Sequence, residues 1–167
     1  MFDPTIYENV KVVLEGELYD RDLEGEISIR NRKDLVDLAS LSRTYEVYFE
    51  ENENVRVMVG LYADLASFSA EQLQLDHIEA GCEIKISFDM SISESEECAE
   101  IEEEIREIWG SRPTITQILS FQFEREDELK NYIVLEFNRR INEDQISDLS
   151  ELIEYAVQTA RLLGNEN

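Results

Sequence analysis

Glycine and proline are scarce, six and two residues in a chain of 167, which leaves little material for long loops and none for a low-complexity segment or a proline-rich linker. One acidic domain over residues 1–167 is therefore expected, long enough to bury about two thirds of the surface its unfolded chain exposes. Cysteine is rarer still. Cys82 and Cys98 are too few for a disulfide framework and fit no metal-ligand spacing, so they read as small core residues with reduced thiols. Basic residues are short as well: 15 Lys and Arg stand against 39 Asp and Glu, a net charge of −24. Phosphate backbones and anionic lipid surfaces are both bound largely through Lys and Arg, so neither nucleic acid nor membrane is expected as a direct partner. The longest apolar run, Val57 to Ala63, is far too short to span a bilayer. Met1-Phe2-Asp3-Pro4 has no basic segment leading into an apolar one, so a cytoplasmic protein without a secretory signal is expected.

Catalytic signatures are equally thin. His77, the single histidine, sits in Gln74-Leu75-Asp76-His77-Ile78 without a nucleophile context and reads as a surface or loop residue. Neither Gly-x-Gly-x-x-Gly nor Gly-x-x-x-x-Gly-Lys occurs, so the two common phosphate-cradling loops are missing. Paired carboxylates can hydrolyse glycosidic bonds when burial raises one pKa, but nearly every acid here occupies a polar phase of its strand or helix. The acidic segments 50–54 and 94–104 lack the Asp-x-Asp-x-Asp-Gly arrangement of a calcium loop. No catalytic residue, no cofactor and no metal site is expected.

What the chain does have is periodicity. Ile84, Ile86, Phe88 and Ile92 are answered 49 residues later by Ile133, Leu135, Phe137 and Ile141, and each run leads into an amphipathic helix. The helix stripes Cys98, Ile101, Ile105, Ile108 and Ile146, Leu149, Ile153, Ala156 correspond at an offset of 48, which suggests an internal strand-to-helix repeat. Alternation predicts a hairpin from Val10, Val12 and Leu14 through the turn residues Asp20–Gly25 to Ile27 and Ile29. A short helix, Arg32 to Leu41, follows with Asn31 as its cap. Strands are expected over Thr44–Glu51 and Val55–Leu61, then a helix opening at the capping box Ser69-x-x-Gln72 and running to about Asp76. Glu83–Ile92 is a strand before a second box, Ser93-x-x-Glu96, and a helix to Trp109. Thr114–Glu126 and Lys130–Arg140 form a hairpin turning near Asp127 and Glu128. Asn142-x-x-Gln145 caps the last helix, which Gly164 stops. The expected fold class is α+β: an antiparallel or mixed sheet of about seven strands, three or four helices, and a long C-terminal helix packed on one face.

The element order from Arg32 onward, a helix, three strands, a helix, a hairpin and a helix, resembles the plan of acidic type III secretion chaperones, which are small dimeric domains. The resemblance is one of element order, and the first 30 residues lie outside it.

Two surfaces stand out. Glu96, Glu100, Glu103, Glu104 and Glu107, with Glu94, Glu97 and Glu102, share about four helical turns with one basic residue, Arg106. Such a row suits a basic partner and salt-sensitive steering. Tyr48, Met58, Tyr62 and Ile118 occupy the phase opposite the apolar stripes of their strands, so a sheet covered on one face would present them on the other. The expected function is a non-enzymatic protein-interaction module, an adaptor or chaperone-like protein that forms a homodimer and binds a protein partner, with a basic one suited to the acidic row. The alternatives are an acidic inhibitor or nucleic-acid mimic that occupies a basic groove, and an enzyme or small-ligand binder whose site is assembled from distant segments.

Overall fold

The computed structural model describes residues 5–74 and 80–165. In chain order its elements are α1 (Thr5–Leu23), β1 (Ser28–Asp37), β2 (Ser42–Asn52), β3 (Val55–Ala63), α2 (Leu65–Leu73), β4 (Cys82–Ile92) and α3 (Glu97–Trp109). They continue with β5 (Thr114–Gln122), β6 (Arg125–Ile141), a 3-10 turn (Glu143–Asp148) and α4 (Leu149–Gly164). The fold is α+β, an open sheet in the order β1-β2-β3-β4-β6-β5 whose neighbouring strands all run antiparallel.

Six strands are present among the described residues where seven are expected, and the difference lies in the first thirty residues. Val10 and Leu14 fit a period of two, but they are also i and i+4. With Tyr7 and Leu18 they make the buried stripe of a helix, while Val12 is exposed. Ile27 and Ile29 do not belong to a hairpin with that segment; Ile29 opens β1 against β2. The helix expected from Arg32 to Leu41 is likewise absent: Arg32 to Asp37 belong to β1, and Leu38 to Leu41 form the turn into β2. Leu35 and Leu38 are exposed rather than forming its inner face, and Arg32 and Asp34 point instead at α1, meeting Glu15 at 3.4 Å and Lys11 at 2.5 Å. Tertiary pairing overrides local preference here: the register with β2 and the contacts of Arg32 and Asp34 with α1 outweigh the helical spacing. The element order read from Arg32 therefore loses its opening helix; the helix that precedes three strands is α1.

Three capping expectations fare differently. Asn142 and Gln145 form the reciprocal box, with the Asp144 N–H donating to Asn142 Oδ1 and the Asn142 N–H to Gln145 Oε1, both at 2.8 Å. At α3 the reaching carboxylate is that of Glu97, not Glu96. It accepts from the backbone N–H of Ser93 at 2.9 Å and of Glu94 at 3.0 Å, so the acid holds the dipole's positive end. Ser69 lies inside α2, which begins four residues earlier because Asp64 accepts from the Ser67 N–H at 2.8 Å. The third hairpin turns at Phe123 and Glu124, between the paired residues Gln122 and Arg125, and Asp127 and Glu128 lie within β6. The strand-to-helix repeat goes no further than order and facing: β4 reaches α3 through a short bend, β6 reaches α4 through the 3-10 turn.

One apolar core lies between the sheet and the helices. Phe49, Val57, Ile86, Phe88, Ile133 and Leu135 meet Leu14, Ile105, Ile153 and Ala160 there, each fully buried and worth about 1.5–3 kcal/mol for the large side chains. α1, α3 and α4 all contribute to this one face of the sheet. Beside the core, Arg43 joins Glu8 at 3.0 Å and Asp34 at 3.1 Å and lies over the Tyr7 ring. Partial burial acts to raise the Asp34 pKa, but hydrogen bonds from Lys11 and Arg43 outweigh it and hold the carboxyl below its ordinary value. A lowered carboxylate pKa contributes stability above the unfolded value and loses it as pH falls through the folded one. Asp34→Asn is thus expected to cost at most about 1 kcal/mol at pH 7, after solvent screening. Urea unfolding should show that deficit shrinking below about pH 4.

Candidate functional site

The opposite face of the sheet carries no helix from this core, and strand register sets what it displays. One row crosses the sheet as Tyr48, Met58, Ser87, Val134 and Thr116, each directly opposite the next. A second row runs Lys33, Glu46, Gly60, Lys85, Glu136 and Thr114, and a third Glu50, Arg56, Asp89, Tyr132 and Ile118. Directly opposed side chains touch, so the first and third rows are contiguous strips, while the second is interrupted at Gly60. Met58, only 4% exposed, and Val134 are buried yet stand outside the main core. Their neighbours on this face bury them: Tyr48 is half-buried, donates from its hydroxyl to Glu46 Oε2 at 3.2 Å, and holds Lys33 over its ring at 5.3 Å.

A groove of about 520 Å³ opens on this face. Met58 and Gly60 line it on β3, with Tyr62 at its rim, and Glu46, Glu83, Lys85, Glu136 and Arg139 surround it. Two features of the chain produce it. Gly60 has no side chain where its strand neighbours do, and a Cβ there would lie 3.0 Å from Met58 Sδ. β6 also slips register beside the groove: Lys85 pairs with Glu136 while Glu83 pairs with Arg140, so Phe137, Asn138 and Arg139 bulge, with Asn138 at φ 54. The Asn138 amide donates to Thr114 Oγ1 at 2.7 Å, which fixes the bulge to β5. The groove is a mixed-charge trough with an apolar floor, suited to an apolar side chain flanked by charged ones.

The four apolar residues singled out from strand phase all lie on this uncovered face. They do not form one patch. Tyr48 and Met58 are adjacent, Tyr62 is 41% exposed at the groove's rim, and Ile118, 51% exposed, belongs with Tyr132 toward β5. Gly60, Tyr132 and Val134 were missed, although Val134 stands in the same phase as Tyr132 and the register to Ile118 follows once β5 is paired.

The glutamates are elsewhere, on the helix side of the molecule. Glu96 precedes α3, Glu100, Glu103 and Glu107 are exposed along it, and Glu104 is half-buried at its flank. Ile101, Ile105 and Trp109 form the buried stripe, with Ile108 at its edge. Glu102 meets Arg106 at 4.0 Å, and no ion pair reaches Glu96, Glu100, Glu103 or Glu107 among the described residues. The acidic row and the aromatic face are thus separate surfaces.

Of the sulfur groups, Cys82 is fully buried in β4, and burial, reinforced by the Glu83 charge, pushes its thiol up to about 12. Cys98 is half-buried with its thiol raised by burial and by Glu97 and Glu96. Neither environment favours a thiolate at neutral pH. His77 lies outside the described residues. No helix among the described residues is long and apolar enough to cross a membrane. No protein family, curated protein or solved structure matches the chain.

Proposed function

We propose that this protein is a non-enzymatic interaction module, adaptor-like or chaperone-like and homodimeric, whose uncovered sheet face binds a polypeptide. The observation that carries this reading is the groove over Met58, Gly60 and Tyr62 on a face that none of the core-forming helices covers. Its floor accepts an apolar side chain, and Glu46, Glu83 and Glu136 outnumber Lys85 and Arg139 around it, which favours flanking Lys or Arg on the partner. A second reading, an acidic surface that occupies a basic groove, draws on the exposed glutamates of α3.

The two readings separate cleanly. Peptides selected from a random 15-residue library should carry an apolar residue between basic ones and should shift the amide resonances of Met58, Gly60 and Tyr62. Gly60→Leu fills the groove from a position whose nearest neighbour is a flexible thioether, so the fold should survive while peptide affinity falls at least ~10-fold. Replacing Glu100, Glu103 and Glu107 together by Gln should leave that affinity within about twofold, because rim or distant charges contribute little. Resonance shifts confined to α3, with binding abolished by the triple replacement, would favour the acidic-surface reading instead.

A further inference from the structure

The sheet ends in two strands of opposite character. β1 carries Arg30, Arg32, Lys33, Asp34 and Asp37, slips register between Ile29 and Asn31, and so has the features that keep an edge from pairing with another chain. β5, Thr-Ile-Thr-Gln-Ile-Leu-Ser-Phe-Gln, has no charged residue, no proline and no glycine, in a chain whose residues are 32% charged. Its register against β6 slips between Ser120 and Gln122, but the extra residues lie in β6, so β5 itself carries no bulge, charge or proline against strand addition. Its apolar side chains are exposed on both sides of the sheet: Ile118 on the uncovered face, Leu119 and the 56% exposed Phe121 on the helix side, and the 83% exposed Phe123 at the turn. A ligand on one face would cover only half of these. A strand added at the edge covers both.

We infer that the added strand is β5 of a second copy of this chain, paired antiparallel with Ile118 on the twofold axis. The inference rests on the homodimeric part of the reading above and gives it a surface. Full overlap of Thr114–Gln122 with itself sets Ile115 opposite Phe121 of the second copy, Gln117 opposite Leu119, Thr116 opposite Ser120 and Ile118 opposite itself. Ile115 against Phe121, Ile118 against itself and Thr116 against Ser120 are matched cross-strand pairs, Gln117 against Leu119 is the one polar–apolar pair, and every off-axis contact recurs by symmetry, as an isologous interface requires. Charge points the same way. Two copies at −24 repel, and β5 is where they can pair without placing like charges directly opposite one another. At about 200 Å² per large side chain, Ile118, Leu119 and Phe121 bring roughly 300 Å² from each copy, so backbone and the flanking polar side chains must supply the remainder of the ~1,000 Å² of a stable interface. The axis stands perpendicular to the sheet, so the two uncovered faces become one continuous face with Ile118 and Tyr132 of both copies at its centre. The α3 glutamates of both copies share the other side, and their repulsion makes the dimer strengthen with salt.

Sedimentation of the full chain at 50 mM and 500 mM salt tests this. The wild type should dimerise reversibly, more tightly at the higher salt, and Ile118→Lys and Phe121→Lys should each raise the dimer Kd at least ~30-fold. Val36→Lys, an equally exposed site on the β1 edge, should leave it unchanged. Hydrogen exchange of the wild type supplies a readout independent of any variant: alternate amides of β5 should gain protection as protein concentration rises. A dimer that persists in both β5 variants, or β5 exchange indifferent to concentration in a dimer, overturns the β5 assignment and leaves homodimerisation standing. A strict monomer at both salts and at high concentration overturns both.

Discussion

Gly81→Ala is expected to destabilise the protein by about 4 kcal/mol, combining ~1–3 kcal/mol for a strained backbone with a similar ~1–3 kcal/mol for overpacking. Gly81 has φ +134, a conformation that side-chain-bearing residues rarely adopt. A Cβ there would lie 2.2 Å from the carbonyl oxygen of Ile141 and 2.9 Å from its carbonyl carbon. Both are main-chain atoms of the β6 end, so no side-chain rotation can relieve the clash. Ser67 tightens the site further, its hydroxyl donating to the Gly81 carbonyl and accepting from the Gly81 N–H at 3.0 Å. The substitution must therefore part β4 from β6 at the Cys82–Ile141 pair or break the link to α2. Thermal unfolding should fall by roughly 8–16 °C for a chain of this size. A midpoint within 3 °C of wild type would show that the β4 entrance is free to shift.

Trp109→Ala is expected to cost about 3–5 kcal/mol, the range for emptying a buried aromatic site. The indole closes α3 against α4. Its Nε1–H donates to Thr159 Oγ1 at 2.9 Å, and its ring meets Tyr155 edge-on at 5.5 Å and Phe137 at 5.7 Å. Thr159 is fully buried and its hydroxyl donates a hydrogen bond to the Tyr155 carbonyl at 2.7 Å, so only its acceptor capacity is orphaned. Trp109→Phe should accordingly lose only about 1 kcal/mol, one hydrogen bond with most of the apolar area kept. In the Ala variant amide exchange should accelerate in α3 more than in α4, because α4 retains Leu149, Ile153, Ala160 and Leu163 against the sheet. Equal acceleration of both helices would mean that they open as one unit.

The segments read correctly from sequence are those in which only one period fits. Glu83–Ile92 alternates over its whole length and is β4; Ile146 to Leu163 recurs at helical spacing and is the 3-10 turn and α4, with Leu149, Ile153, Ala156, Ala160 and Leu163 buried. Misreadings came from short windows that satisfy two periods. Val10 and Leu14 are consistent with either, and Tyr7 and Leu18, one turn beyond on each side, decide for a helix. Arg32 to Leu41 shows helical spacing of leucines that end up exposed, and only the pairing of β1 with β2 makes its first six residues a strand and the rest a turn.

The site divides in the same way. Strand phase alone assigned Tyr48, Met58, Tyr62 and Ile118 to one face, since successive side chains of a strand must alternate. Which strands are neighbours is a different kind of fact. The order β4-β6-β5 sets Ile118 beside Tyr132 and leaves the uncharged strand β5 at the rim, and the β6 bulge with Gly60 hollows the groove. Charge, composition and spacing are local properties that a chain carries in any conformation, and facing follows from them wherever only one period fits. Adjacency between residues 60, 85 and 136 exists only after loops have closed and backbone hydrogen bonds have chosen partners, so tertiary structure alone decides it.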